Sequence, residues 1–389
     1  MAYISSNDNR LYAAVEATYG TAATITAGNL FPAVSLKATY KLQKPQRKDK
    51  TGTRTYLGEV SGLRSSTAFE AHSYVCSWGN LAQPPPHGPL VQAALGAAPL
   101  TWAAGHTVAS ASGTTVTFSA AHGLTAGQAI CCGNEIRFAA TIVSTTAVHL
   151  NAPFTTTPAA GTACTATMTY APSEELPSAT IFDYWSPVTA VQRLMCGAAV
   201  DKMTISVNGD FHELAFTGSA ADLVDSGSFQ SGQAGLSSFP AEPAISTIDY
   251  VLVPGNLGEA WLGVTPWQAF TVTSAQISLN NDLQLRDQEF GFELARGISP
   301  GMRTVTGTVG LFAQDDQDTI SLYQAARERT PTSLMLQLGQ QQGQLMGIYM
   351  SAVVPEVPTY DDSQRRLQWN FQNSRAQGTL DNEIYIAFA

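Results

Sequence analysis

The chain has 389 residues, of which 44% are hydrophobic and only 13% charged, about half the charged share of an ordinary soluble domain. The length suits two or three domains. The net charge of −10 and the pI of about 5.0 argue against a tight grip on phosphates, although not against nucleic acid passing by. Few charges among many Thr, Ser, Gln, Ala and Gly fit a surface largely covered by copies of itself; a secreted β-rich protein would share that composition.

In chain order, Met1–Arg10 has no apolar run, so no secretory leader is expected. No apolar stretch reaches membrane-spanning length. An arm, Leu11–Ala23, leads into Phe31–Thr67, which reads as strand, long polar loop, strand. After the Pro84–Pro86 loop, Leu90–Ala94 (LVQAA) reads as a short helix. His106–Pro172 is rich in Thr, Ala, Ser and Gly. Within it Thr114–Phe118, Ala129–Phe138, Thr141–Leu150 and Ala163–Tyr170 alternate like strands, a small β-barrel or sandwich set into an exposed loop. Lys202–Gly218 reads as a hairpin around Asn208-Gly209, the strongest short turn signal. Asp225–Trp267 begins Gly/Ser/Pro-rich, as a linker or arm, with short strands expected at Ile248–Val253 and Trp261–Val264.

The series then repeats. Phe31–Thr67 laid without a gap on Phe270–Thr306 gives seven identities in 37 positions, including Gly52/Gly291, Gly58/Gly297 and Gly62/Gly301. Glycines in register imply a shared backbone path. Leu90–Ala94 resembles Leu322–Ala326, and Lys202–Gly218 resembles Glu356–Gln372. Three blocks in the same order point to a duplication. The expected domains are therefore residues 1–105 with 173–225, an outward-facing insert at 106–172, a linker or arm at 226–267, and a second copy at 268–389.

Chemistry is sparse. No Walker loop, GxSxG elbow, HExxH, EF-hand or GxGxxG occurs. Five cysteines, an odd number without a CxxC pair, predict reduced thiols rather than a zinc site or a disulfide framework. His72 and Cys76, four apart on a strand, do not converge. Glu174-Glu175, Asp315-Asp316 and Asp361-Asp362 read as loop and turn material. No catalytic residue, metal or cofactor is expected.

The informative charges lie in the long loops. Lys41–Arg54 (KLQKPQRKDKTGTR) holds six basic residues against Asp49, net +5, whereas the aligned Asn280–Glu293 (NNDLQLRDQEFGFE) is −3. Such loops could meet across an interface and fix its register, or the basic one could touch phosphates; solvated loops are the plain alternative. The matched positions favour the interface. Its candidate residues are Lys44, Arg47, Lys48, Lys50 and Arg54 opposite Asp282, Asp287, Glu289 and Glu293.

Three stretches, LYAAVEATYGTA (Leu11–Ala22), SGLRSSTAFE (Ser61–Glu70) and the closing MGIYMSAVVPEVPTYDDSQRRLQWNFQNSRAQGTLDNEIYIAFA (Met346–Ala389), give the chain its resemblance to the tail tube proteins of phages with long non-contractile tails, the siphophage type. The resemblance covers both halves and excludes the insert. It implies a mainly β fold of two tandem β-sandwich or split-barrel domains, each with a short flanking helix, to which the residues themselves add the small inserted β domain. It further implies rings whose neighbouring strands complete an inner barrel, stacked head-to-tail into a tube. The family's usual ring has six single-domain subunits, so two copies per chain imply trimeric rings with pseudo-sixfold symmetry. The implied partners are the chain itself, tape-measure protein and DNA in an acidic or neutral lumen, and tail-tip and terminator proteins at the ends. The implied place is the virion, assembled in the host cytoplasm. Alternatives are a tail terminator, a baseplate hub, a head-decoration protein or a carbohydrate-binding adhesin.

Overall fold

Ser65–Tyr74 illustrates how the sheets are laid down: Thr67, Phe69, Ala71 and Ser73 are buried, and the residues between them are half-exposed. That period of two turns one face of a strand to a core. A computed structural model describes residues 3–45, 48–55, 58, 60–76, 83–246, 248, 250–263, 268–363 and 365–389. The fold is mainly β, in antiparallel sheets, one of them wrapped nearly closed like a barrel, with two α-helices.

The first half comprises β1 (Asn9–Val15), β2 (Leu30–Phe31), β3 (Ala33–Leu42), β4 (Ser65–Tyr74), α1 (Gly88–Leu95) and β5 (Leu100–Trp102). The insert follows, with β6 (Val108–Ser112), β7 (Thr115–Phe118), β8 (Ala129–Cys132), β9 (Glu135–Ile142), β10 (Ala147–Leu150) and β11 (Cys164–Thr165). The chain returns through β12 (Thr167–Tyr170), β13 (Ala179–Trp185), β14 (Arg193–Val207), β15 (Glu213–Ala220) and β16 (Asp222–Asp225). The second half has β17 (Gly258–Gly263), β18 (Gln268–Ala269), β19 (Val272–Asn280), β20 (Gln284–Leu285), β21 (Ile298–Ser299), β22 (Thr304–Phe312) and α2 (Gln317–Glu328). It ends with β23 (Thr332–Leu338), β24 (Met346–Val354), β25 (Thr359–Asp361), β26 (Gln368–Ala376) and β27 (Tyr385–Phe388).

The two halves pair their strands in the same order. In the first, β3–β4–β15–β14 form a front layer and β2–β1–β13–β14–β16 a back layer, with β14 long enough to serve both. In the second, the front is β19–β22–β26 with β25 and the end of β24, and the back is β18–β17–β23–β24–β27. A β-bulge falls between Ala33 and Ser35 on β3, and another between Val272 and Ser274 on β19. The halves fuse where β14 pairs with β19 from Lys202↔Asn280 to Val207↔Ala275. One front sheet thus runs β3–β4–β15–β14–β19–β22–β26–β25. One apolar core lies behind it and takes in both helices, with Leu90, Val91 and Leu95 from α1 and Leu322 and Ala326 from α2.

The helices are bounded by local signals. Pro89 sits in the first turn of α1, where no N–H is needed, and Gly96 follows its end at φ 110°. Asp316 caps α2 by accepting the Thr319 N–H at 2.7 Å, and Arg329 closes it in the left-handed region at φ 55°.

Several sequence expectations change. The gapless repeat is one residue out at the second strand: Tyr40 pairs with Thr67, and its counterpart Leu279 with Val305, so Thr67 corresponds to Val305 and not to Thr306. The glycines do not trace one path: Gly52 and Gly291 share positive φ (73° and 90°) and Gly58 and Gly62 have it, but Gly297 and Gly301 do not. At Gly301 a Cβ would stand 2.7 Å from the Asp282 carbonyl oxygen, so close approach and not handedness calls for glycine there. Finally, Ala129–Phe138 is a hairpin and not one strand, because Gly133 and Asn134 turn it at φ 61° and 69°.

The insert strands pair in the order β11–β8–β9–β10–β7–β6. Hydrogen bonds from Val108 N–H to Thr162 O (2.9 Å) and from Cys164 N–H to His106 O (2.8 Å) join the two outer strands. This unit runs from Val108 to Thr165. The flanking β5 and β12 add to the second half's back layer through β27. The connector after β16 packs on the first half's back layer, with Phe229, Leu236, Phe239 and Ile245 against Tyr12, Phe182 and Tyr184. Glu242 accepts from Arg10 and, at 2.9 Å, from the Tyr12 hydroxyl.

Candidate assembly surfaces

The front sheet hides alternate residues in the core and turns the others outward. The outward face carries Ser35, Lys37, Thr39 and Lys41 on β3, then Ser66, Ala68, Glu70 and His72 on β4. It continues with Glu213, Ala215, Thr217 and Ser219, then Lys202, Thr204 and Ser206, then Ser274, Gln276, Ser278 and Asn280. Hydroxyls and amides dominate. Lys37 stands directly across from Glu70, and His72 Nε2 lies 3.0 Å from Glu70 Oε1. That hydrogen bond holds the Glu70 carboxyl below the usual carboxylate range. An open cleft of about 410 Å³ lies on this face near Lys37, Lys41, Glu70, Asp201 and Leu283.

Both long loops leave this sheet at the same end, because β3 and β19 run parallel in the β3–β4–β15–β14–β19 series. Lys44, Lys48, Lys50 and Arg54 are exposed on the first; Arg47 lies outside the described residues. In the second loop Glu289 pairs with Arg286 and stands 3.8 Å from Arg296. Asp282 (φ 50°) backs onto Gly301, and the field of Asp287 reaches Tyr19 in the arm. The loops touch within the chain, through a residue that the charge pattern does not single out. Arg64 donates Nη1–H to Gln288 Oε1 at 3.2 Å, and Nη2–H to the Gln288 and Glu289 carbonyls at 3.1 Å. Ser65 N–H reaches Glu293 O at 3.1 Å. Arg303, its partner in the gapless repeat, instead meets Asp381 (3.0 Å), Glu383 (3.3 Å) and the Ser173 carbonyl. Arg64 and Arg303 were visible in the sequence only as an aligned identity.

The front sheet has an open edge at either end. Among the described residues β3 pairs only with β4, and β25 only with β26. Large apolar side chains are exposed along both: Val34 (51%) and Tyr40 (49%) on one, Val357 (43%) and Tyr360 (59%) on the other. The Tyr360 ring stacks on Trp369 with centroids 5.6 Å apart. An open edge is a template for another strand.

The insert is docked firmly on the second half. Ile136 and Phe138 join Trp261, Met335, Leu345 and Tyr349 in one cluster, and a Cβ on Gly347 would come 3.0 Å from the Phe138 ring. Arg137, fully buried, ion-pairs with Glu135, donates Nη1–H to Gln337 Oε1 at 3.1 Å, and lies 3.9 Å from the centre of the Trp261 ring. Burial lowers its pKa to about 10, against the pull of Glu135 and Glu259.

The expectation of reduced thiols throughout is corrected here. Cys132 and Cys164 are cross-strand partners on β8 and β11, Cα atoms 4.6 Å apart, and form a disulfide in the insert core. Spacing along the chain could not show that pairing. The other three cysteines are free and buried; burial pushes the thiols of Cys76 and Cys196 up to about 12 and that of Cys131 to about 11. His87, fully buried beneath α1, lies with Nε2 3.1 Å from the Tyr74 carbonyl, and burial lowers its pKa to about 4. Among the described residues no group of three or more His, Cys, Asp or Glu side chains converges, and no helix is long and apolar enough to cross a membrane. No protein-family model matches the chain, and no curated protein matches it either.

Proposed function

We propose that this chain is a structural subunit that polymerises, as stacked rings, into the tail tube of a long-tailed phage. Each chain carries two tube domains derived by duplication. Three chains then make a ring of pseudo-sixfold symmetry. One observation carries the reading: the same strand order occurs twice, fused through the β14·β19 pairing, with a matching edge left open at each end of the front sheet. A sheet built from repeated units with unsatisfied edges is completed by closure onto copies of itself.

The outward face of the front sheet is then the lumen wall. Its charges, Lys37, Lys41, Lys202 and Arg375 against Glu70, Asp201, Glu213 and Asp361, balance, so the wall is close to neutral and not acidic. The wall's low charge density gives passing DNA few fixed partners, so the chain's overall acidity is carried elsewhere. The insert, docked behind the second half, lies on the outside of the ring. The chain works by assembly, in the virion, with tape-measure protein and DNA inside the tube and terminator and tip proteins at its ends.

Electron microscopy of the purified chain, with native mass measurement of short assemblies, tests this. Hollow filaments built from three-chain rings are expected. A terminator, hub or adhesin would not form filaments alone, and sixfold rings of full-length chains would remove the duplication from the reading.

A further inference from the structure

The seam inside the chain supplies a template for the seam between chains. On the β14 side the hairpin to β15 pairs Ser206 with Glu213, and the matching hairpin pairs Asp361 with Gln368, so the last turn of β14 corresponds to Val357–Asp362. Phe216 and Phe371, both buried, fall into register under this match. On the β19 side, the bulges at Val34 and Thr273 set β3 against β19, Leu36 matching Ala275 and Lys41 matching Asn280.

Resting on the reading of a self-assembling subunit, we infer that β25 of one copy pairs antiparallel with β3 of a second copy in one register: Val357 opposite Lys41, Thr359 opposite Thr39, Asp361 opposite Lys37. It is the β14·β19 register carried over residue by residue. The side chains agree. Tyr360 takes the place of Ile205 and Ala38 that of Ile277, a pair buried at the inner seam. Tyr360 and Tyr40 are exposed because the edges are open, and both stand on the core-facing side, where a second copy covers them. On the opposite face Thr359 meets Thr39, and the Asp361 carboxylate meets Lys37 with favourable sign. Shifting the register by one residue would put Tyr360 on the polar face.

Paired cysteines test the register. Directly opposed residues on antiparallel strands have Cα atoms about 4.5–5.5 Å apart, within disulfide reach, whereas a diagonal pair at about 7–8 Å is beyond it. The variant Thr39→Cys with Thr359→Cys is expected to give interchain disulfides on mild oxidation, in a ladder ending at three chains. Thr39→Cys with Asp361→Cys is expected to give at least tenfold less. The native free cysteines are buried and do not compete. If wild-type rings form but the first variant fails to cross-link, or the second cross-links faster, the register is wrong and the assembly reading stands. If the wild-type chain stays monomeric by native mass and microscopy, the assembly reading falls and the register with it.

Discussion

In the first half, β14 runs unbroken from Arg193 to Val207 and serves both layers; in the second half the same course is split into β24 and β25, with Pro355 and Pro358 in the gap. Proline has no N–H to give a ladder, so it belongs at strand ends and edges. β14 can be continuous because β15 and β19 flank it inside the chain. β25 is short and proline-flanked and, among the described residues, pairs on one side only, with β26; a long flat edge there would invite wrong partners. On the proposed assembly, the two strands differ not in kind but in when their last neighbour is acquired, during folding for one and during assembly for the other.

The sharpest way to break that contrast is to place one charge on each seam. Ile277→Asp, at the fully paired seam, should cost more than about 4 kcal/mol, since a carboxylate would be buried without a partner. Urea unfolding should find the variant largely unfolded. Tyr360→Asp, at the open edge, should cost the monomer about 1 kcal/mol, the stacking on Trp369, yet abolish assembly by light scattering. Equal destabilisation by the two would mean that β25 is not an edge.

The next largest effect separates the second half from the first by what is docked on it. Arg137→Ala removes the cation between Glu135 and Glu259 and one of the two donors to Gln337 Oε1, the Ile136 N–H remaining, at about 3–5 kcal/mol. Limited proteolysis should release the insert at a lower temperature while the two halves remain folded. Within the insert, the disulfide closes a loop between residues 32 apart, which the chain-entropy model values at about 3–4 kcal/mol. Cys132→Ser with Cys164→Ser should lower the insert's unfolding temperature and leave the β14·β19 seam's hydrogen-exchange protection unchanged.

The smallest effect contrasts the two helix entrances, His87 before α1 and Asp316 before α2. Burial holds the folded pKa of His87 at about 4, below its ordinary 6.5. Between these values the unfolded chain binds the proton and the folded one does not, so stability falls as pH drops from 6.5 to 4, by about 3 kcal/mol in all. Asp316 is half-exposed, and its hydrogen bonds to Thr319 lower its pKa. Its contribution is present above the ordinary carboxylate pKa and is lost as pH falls through the lowered one. Unfolding free energies from pH 7 to 4 for wild type and His87→Phe should diverge as acid is added, the variant showing the flatter curve.

What the sequence by itself determined was local. Period-two alternation marked β7; LVQAA and LYQAA marked the helices; Asn208-Gly209 marked the β14–β15 hairpin, where Asn208 does take positive φ. These are legible because a strand face, a helix turn and a tight turn are set by residues a few positions apart. Only the tertiary structure decided the rest. It placed Cys132 opposite Cys164 and moved the repeat's second strand by one residue. It set the two charged loops side by side at one end of the sheet, with Arg64 joining them. It left β3 and β25 as the open edges. Partners across a sheet are separated by tens to hundreds of residues, and their choice depends on which faces the core must cover, a condition that the finished packing imposes and no short window of sequence contains.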